Sequence, residues 1–111
     1  MIYRVRTMKL NPEKAAAARE VAARAASYAT GHFPGIEVHL LENIAGPLHQ
    51  IHMVTRCQSL AALEVYEAER QLDAEWQALT AEYQSLDATV DTVDHLYRTC
   101  AAPNNRRSSP T

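Results

Sequence analysis

Two histidines, His39 and His52, are the residues of this chain best suited to chemistry, because a histidine can transfer a proton or bind a metal near neutral pH. They lie in two runs of alternating apolar residues between positions 36 and 57, and an Asn-, Gly- and Pro-containing turn at 43–47 separates these runs. That pattern predicts a β-hairpin. A catalytic zinc usually takes three protein ligands, and two histidines supply only part of such a set. We therefore predict no metal, and we place the pair in a ligand-binding site. The alternative is that both line a dimer interface.

The alternation within the hairpin predicts which side chains share a face of the sheet. Pairing Val38 with Met53, and Leu40 with Ile51, collects the apolar side chains on one side. In that register the two histidines are direct cross-strand neighbours on the other side, where they could share a ligand.

Arg4 and Arg6 recur at strand spacing in the N-terminal segment 2–9, so the two guanidinium groups share a face. If the last strand, 90–100, presents Asp94 to the same face, an arginine–aspartate pair can form. An arginine without such a partner would attract a carboxylate or a phosphate. The predicted ligand-binding set therefore contains His39, His52, Arg6, Arg4 and Asp94. The alternative for the arginines is structural pairing across the sheet.

The first predicted helix positions these strands through a row of small residues. Asn11, Pro12 and Glu13 form a typical helix start, and the helix should run to about Thr30. Its predicted buried line consists of alanines, which allow a helix to approach a sheet closely: Ala15, Ala18, Ala22, Ala25 and Ala29.

A second, longer helix is predicted from Leu60 towards Leu86, with Ser59 as its N-cap. Apolar residues at spacings of three and four indicate one buried stripe, with Trp76 in the core; its members are Ala61, Val65, Ala68, Leu72, Trp76, Leu79, Tyr83 and Leu86. Because such a helix is longer than the strands, we expect it to break near Thr80 or to extend into a partner.

Composition limits the classes of function. The 111 residues are 47% hydrophobic and 22% charged, with a formal net charge of −2, which indicates a single globular domain. The absence of a basic stripe argues against nucleic-acid binding. No apolar run approaches the roughly 20 residues that span a bilayer, and the N-terminal segment lacks an export signal, so we expect a cytoplasmic protein without membrane contact.

The two cysteines and the last residues lead to further expectations. Cys57 and Cys100 are expected to be buried thiols rather than a disulfide. Residues 1–100 should form the domain and 101–111 a disordered tail. Deleting 103–111 should therefore leave the stability nearly unchanged.

The predicted order of elements is strand, helix, strand, strand, helix, strand. It is the ferredoxin-like βαββαβ pattern, an α+β fold with a four-stranded antiparallel sheet in order 4-1-3-2 and two helices on one face. In element order, element lengths and the long second helix, residues 1–100 resemble the dimeric α/β-barrel superfamily, including its NIPSNAP and antibiotic-biosynthesis-monooxygenase groups. The resemblance implies a homodimer whose sheets pack face to face, and a cavity between sheet and helices or near the interface.

The uncovered sheet face should form this dimer, through Leu41, Val54 and Leu96. Haem-degrading members of the superfamily carry an axial histidine on the second helix, but residues 60–86 contain none. The resemblance therefore transfers neither a cofactor nor a catalytic residue.

Two functions remain open from the sequence. The first is a cofactor-independent monooxygenase or isomerase acting on a small anionic or carbonyl ligand, with His39, His52 and Arg6 as acid, base or anion holder. The second is a non-catalytic NIPSNAP-like binding or structural homodimer. A concave, largely apolar pocket with a few polar groups would favour a small-molecule function.

Overall fold

The computed structural model describes residues 1–101, which form a four-stranded antiparallel sheet with helices packed on it. The strands are β1 (Ile2–Leu10), β2 (Glu37–Glu42), β3 (Gln50–Cys57) and β4 (Thr89–Arg98). Their order across the sheet is β2-β3-β1-β4, which confirms the predicted order read from the other edge. The expectations for the tail beyond Ala101 lie outside the described residues.

The first helix, α1 (Ala15–His32), follows a short 3-10 turn at Pro12–Lys14. The side chain of Asn11 accepts a hydrogen bond from the Glu13 amide (3.1 Å), as its predicted role at the helix start requires. The predicted alanine line is buried, and it packs on the sheet. The helix continues past the predicted end at Thr30, because a glycine at position 31 does not by itself interrupt the hydrogen bonds that reach Phe33.

The long second helix is two helices, α2 (Leu60–Gln71) and α3 (Ala74–Ser85). The predicted break near Thr80 is wrong, because the chain breaks at Leu72 and Asp73. The Asp73 carboxylate accepts hydrogen bonds from the Trp76 amide (2.8 Å) and from the Tyr28 hydroxyl (2.8 and 2.9 Å), and so begins a new helix. These donors, the Trp76 amide first, lower the pKa of Asp73, while burial and the bond to Asp73 raise the pKa of Tyr28 to about 12.

This break changes which side of α2 faces the core. α2 buries Leu63 and Tyr66, whereas the predicted core positions Val65 and Leu72 are exposed. The predicted stripe is correct only after the break, where Leu79 is buried and Trp76, Tyr83 and Leu86 are partly buried. The period of 3.6 residues holds only within a continuous helix. Because the chain leaves the helical conformation at Asp73, the buried positions of α2 do not continue in register into α3.

The hairpin register confirms the predicted faces but shifts the pairing by two residues. Leu40 pairs with Met53, and Val38 with Thr55, so the predicted pair of Leu40 with Ile51 is wrong. The two strands are joined by the loop 43–49, in which the Asn43 side-chain amide donates to the Pro47 carbonyl (2.6 Å). A shift of two residues leaves every side chain on its predicted face.

The hydrophobic core lies between the helices and one face of the sheet, in two clusters. One surrounds Phe33 and Tyr66, and the other surrounds Met8, Leu10 and Ile51. Cys57 is buried as predicted, but Cys100 is exposed, and each is a free thiol. Within residues 1–101, no helix has both the length and the apolar character needed to cross a membrane.

Candidate functional site

A cavity of about 270 Å³ lies between the sheet and the helices. It is bounded below by β1, β3 and β4 and above by α1 and α3. Every β4 residue after Thr89 is exposed, so the cavity lies beside an edge that the helices leave uncovered. Its lining is Arg6, Met8, Val21, Ala22, Ala25, Met53, Trp76, Thr80, Tyr83, Gln84, Thr89 and Thr92.

The apolar part of this lining comes from α1, α3, β1 and β3. Ala22 and Ala25 project only a methyl group from α1, so α1 leaves space where larger side chains would fill it. On the α3 side, the Tyr83 hydroxyl is hydrogen bonded to the Thr89 hydroxyl (2.8 Å) and lies 3.5 Å from the Met8 sulfur. These contacts fix the ring of Tyr83 as a rigid wall of the cavity.

Arg6 is the one charged side chain among the described residues that line the cavity. Its Nε and Nη2 donate to the two carboxylate oxygens of Asp94, each at 2.8 Å, across the paired strands β1 and β4. The geometry confirms the predicted arginine–aspartate pair. The hydrogen bonds lower the pKa of Asp94 and raise that of Arg6, so both groups are charged at neutral pH.

Arg4 lies beside Arg6 on the same face of β1 and is only 9% exposed. Its Nη1 donates to the Glu67 carboxylate, and Arg70 lies 3.6 Å from the same carboxylate. The Arg70 guanidinium also stacks over the rings of Tyr66 (4.8 Å) and Trp76 (5.1 Å). Burial, and then the positive charges of Arg70 and Arg6, lower the pKa of Arg4. A group of positive charges therefore adjoins the cavity beside Trp76.

The structure separates the histidines from this site. His39 and His52 lie on the outward face of the sheet, as the parity of the hairpin predicts. Arg6 pairs with Met53 and lies on the helix-covered face, so the predicted grouping of Arg6 with the histidines is wrong. The histidines are also not directly paired, because His39 faces Val54 and His52 faces Leu41.

The outward histidines have partners of their own. His52 bonds through Nε2 to the Asn43 side-chain oxygen (2.6 Å) and through Nδ1 to the Thr7 hydroxyl (2.9 Å). Because that oxygen can only accept, Nε2 donates to Asn43, and in the neutral ring Nδ1 therefore accepts from Thr7. His39 is exposed and lies 3.5 Å from Glu37. Within the described range 1–101, no three His, Cys, Asp or Glu side chains are grouped closely enough to hold a metal.

The sequence placed Trp76 and Tyr83 in the core, whereas both are partly buried and line the cavity. One feature of the sequence could have indicated the cavity. Trp76 and Tyr83 share one side of α3, and the facing side of α1 consists mainly of alanines, so the small alanine side chains leave space between the two helices. A second hollow, of about 240 Å³, lies at the other end of the sheet, near Met1, Gly35 and Arg56.

The fold is shared with solved structures at low sequence identity. The NIPSNAP-family protein of unknown function Atu4242 from Agrobacterium tumefaciens is 18% identical, with a TM-score of 0.75, over 90% of this chain and 94% of that chain. A NIPSNAP domain protein from Burkholderia xenovorans is 12% identical, with a TM-score of 0.77, over 94% of this chain and all of that chain. A candidate antibiotic biosynthesis monooxygenase from Deinococcus radiodurans is 19% identical, with a TM-score of 0.70, over 94% of this chain and 97% of that chain.

No protein-family model and no curated protein matches the sequence. The structural likeness confirms the α+β fold that the order of elements predicted.

Proposed function

We propose that this protein binds a small molecule in the cavity between the sheet and the helices. The observation that carries the proposal is the cavity itself, a concave site with an apolar wall and a few polar groups at its edge. Its volume lies near the lower end of the range for small-molecule sites, so the ligand is a compact molecule of one or two rings.

Binding is better supported than catalysis by the groups around this cavity. A monooxygenase or isomerase reaction needs a base to remove a proton from the bound molecule. Asp94 is a weak base because Arg6 lowers its pKa, and the histidines lie on the other face of the sheet. Because candidate monooxygenases share the fold, oxygenation of the bound molecule is the reaction to assay once a ligand is known.

We further propose that the outward sheet face forms a homodimer of the barrel type. No element of residues 1–101 packs on this face, which carries the partly buried Val5 and Val54 and the exposed Val93 and Tyr97. Leu96, which the sequence assigned to this face, pairs with Arg4 and lies on the helix side instead. A sheet face with this much apolar surface is a typical protein interface.

A lysine at the centre of the proposed interface should separate the subunits. Val5 lies on a central strand, between Val54 and His95, so Val5→Lys should convert a dimer into a monomer, measured by light scattering at micromolar concentration. The control Leu72→Lys changes a residue that is 89% exposed at the α2–α3 junction and should remain dimeric. A wild-type monomer at that concentration would contradict the dimer.

Filling the cavity should abolish binding. Ala25→Phe places a ring into the space beside Trp76, whereas Ala23→Phe adds the same ring on the exposed side of α1. With trans-cinnamamide as a neutral one-ring probe, we expect calorimetric binding to wild type and to Ala23→Phe, and at least about tenfold weaker binding to Ala25→Phe, since the cavity supplies most of the buried apolar surface. Equal affinities for all three proteins, with melting temperatures showing that each is folded, would contradict the proposal.

A further inference from the structure

We propose that the cavity selects a ligand with one carboxylate group, which Arg6 binds while the apolar part of the ligand lies against Trp76 and Tyr83. This inference rests on the proposed function and specifies the substrate class of the same site. It is carried by the charges and open hydrogen-bond donors next to the cavity.

The charges beside the cavity do not balance. Among residues 1–101, the guanidinium groups of Arg4, Arg6 and Arg70 interact there with one another, and two carboxylates accompany them, those of Glu67 and Asp94. Two of the three cations are shielded from water, since the Arg4 and Arg70 side chains are 10% and 14% exposed, whereas Arg6 (39%) is about as exposed as the carboxylates of Glu67 (42%) and Asp94 (43%). An excess of one positive charge in a group that is largely shielded from water favours one additional anion, and the exposed member, Arg6, is where an anion can reach the group.

The hydrogen-bond donors show where this anion binds. Arg6 uses Nε and Nη2 for Asp94, and its Nη1 has no acceptor within residues 1–101. Arg4 makes a single side-chain hydrogen bond in that range, to Glu67, although a guanidinium has five donor hydrogens and this one is buried. Arg6 is the member of this group that lines the cavity, and its side chain is 39% exposed, so a carboxylate in the cavity can accept from its Nη1 without displacing Asp94.

The rest of the lining defines the body of the ligand. Trp76 and Tyr83 present aromatic rings, and Met8 and Met53 present flexible thioethers, which pack well against a flat aromatic molecule. Thr80 and Thr92 provide hydroxyl groups at the rim for a neutral polar substituent. The site therefore fits a small aromatic or unsaturated carboxylic acid.

The test compares trans-cinnamate with trans-cinnamamide, which have nearly the same shape and differ in charge, by titration calorimetry at low salt and pH 7. We expect the carboxylate to bind about tenfold more tightly or better, as charged hydrogen bonds allow. Equal affinities would overturn this inference and leave the proposed function intact. The absence of binding by either probe at millimolar concentration would overturn both.

Variants locate the carboxylate at Arg6. Arg6→Gln should remove the preference and leave the affinity for the amide within about twofold. Arg24→Gln is the matched control, because it removes another partly exposed arginine–carboxylate pair, with Glu82, on the outside of the helices; it should retain the preference. Loss of the preference in Arg24→Gln as well would show surface association and would overturn the inference.

Asp94→Asn provides a test that impaired folding cannot imitate. It removes the competing negative charge and frees at least one of the two Arg6 donors that Asp94 occupies, so cinnamate should bind several-fold more tightly than to wild type, while cinnamamide should change little. Unchanged or weaker cinnamate binding to a folded Asp94→Asn protein would overturn the assignment of Arg6 as the carboxylate-binding residue.

Discussion

Replacing Tyr66 with alanine should lower the free energy of unfolding by about 3–5 kcal/mol, the usual cost of truncating a buried aromatic residue. Tyr66 is 1% exposed and lies at the centre of the core, edge-on to Phe33 (5.2 Å between ring centroids) and to Trp76 (6.5 Å). Its removal also takes away the ring over which Arg70 stacks. The helices can close only part of the resulting space, so a cavity term adds to the lost apolar burial.

The matched control lies one residue earlier on the same helix. Val65 is 56% exposed, so Val65→Ala should change the stability by no more than about 0.5 kcal/mol. Urea unfolding at one fixed protein concentration measures both variants, since dimerisation would make stability depend on concentration. A larger loss for Val65→Ala than for Tyr66→Ala would show that α2 buries the side that the sequence stripe predicted.

Neutralising Glu67 should cost more stability than removing the arginine it accompanies. Glu67→Gln should lower the free energy of unfolding by about 2 kcal/mol, because it leaves the charge of Arg4 buried beside Arg6 and Arg70. The partial exposure of Glu67 keeps this cost below that of breaking a fully buried pair.

Arg4→Met should cost less than about 1 kcal/mol, because it removes a buried charge and its repulsion with two neighbours, while Glu67 keeps Arg70 as a partner. Comparing the two variants in the same urea experiment isolates the effect of charge from that of size. A larger loss of stability for Arg4→Met than for Glu67→Gln would contradict this account. It would show that the Arg4 charge stabilises the fold and that the cluster of Arg4, Arg6 and Arg70 has no excess positive charge.

The buried side of α1 could be predicted from local periodicity, and the strand order could be predicted from the βαββαβ order of the elements. The alanines that recur along α1 are buried as their spacing predicts. Parity within the hairpin was predictable for the same reason. The register was not, because pairings two residues apart place the same side chains on each face, so alternation alone cannot distinguish them.

The break in the second helix could not be predicted from its own residues. Asp73 follows Leu72 of the predicted stripe and has no special feature in the local sequence, but in the structure its carboxylate contacts the Tyr28 hydroxyl and His32 (2.9 Å), both from α1. These contacts with α1 stabilise Asp73 as the N-cap of α3, whereas local helix propensity alone does not decide whether the helix is interrupted there.

The candidate site was predicted in part. Arg4, Arg6 and Asp94 lie together as expected, but on the face opposite the histidines. A strand that alternates two arginines with Tyr3 and Val5 favours placing the arginines outside. The structure instead buries Arg4, because Glu67 and Arg70 of α2 lie beside it. The burial of Arg4 depends on partners in α2, which are distant in the sequence, so the residues of β1 alone do not predict it.

The most direct test of ligand binding in the sheet–helix cavity uses the three methionines of the chain as reporters. Met8 and Met53 line the cavity, whereas Met1 lies at the second hollow. With carbon-13 labels on the methionine methyl groups, titration with trans-cinnamamide is followed by nuclear magnetic resonance. We predict that the signals of Met8 and Met53 shift together and saturate while that of Met1 stays in place. A shift confined to Met1, or no shift at millimolar probe, would contradict binding in this cavity.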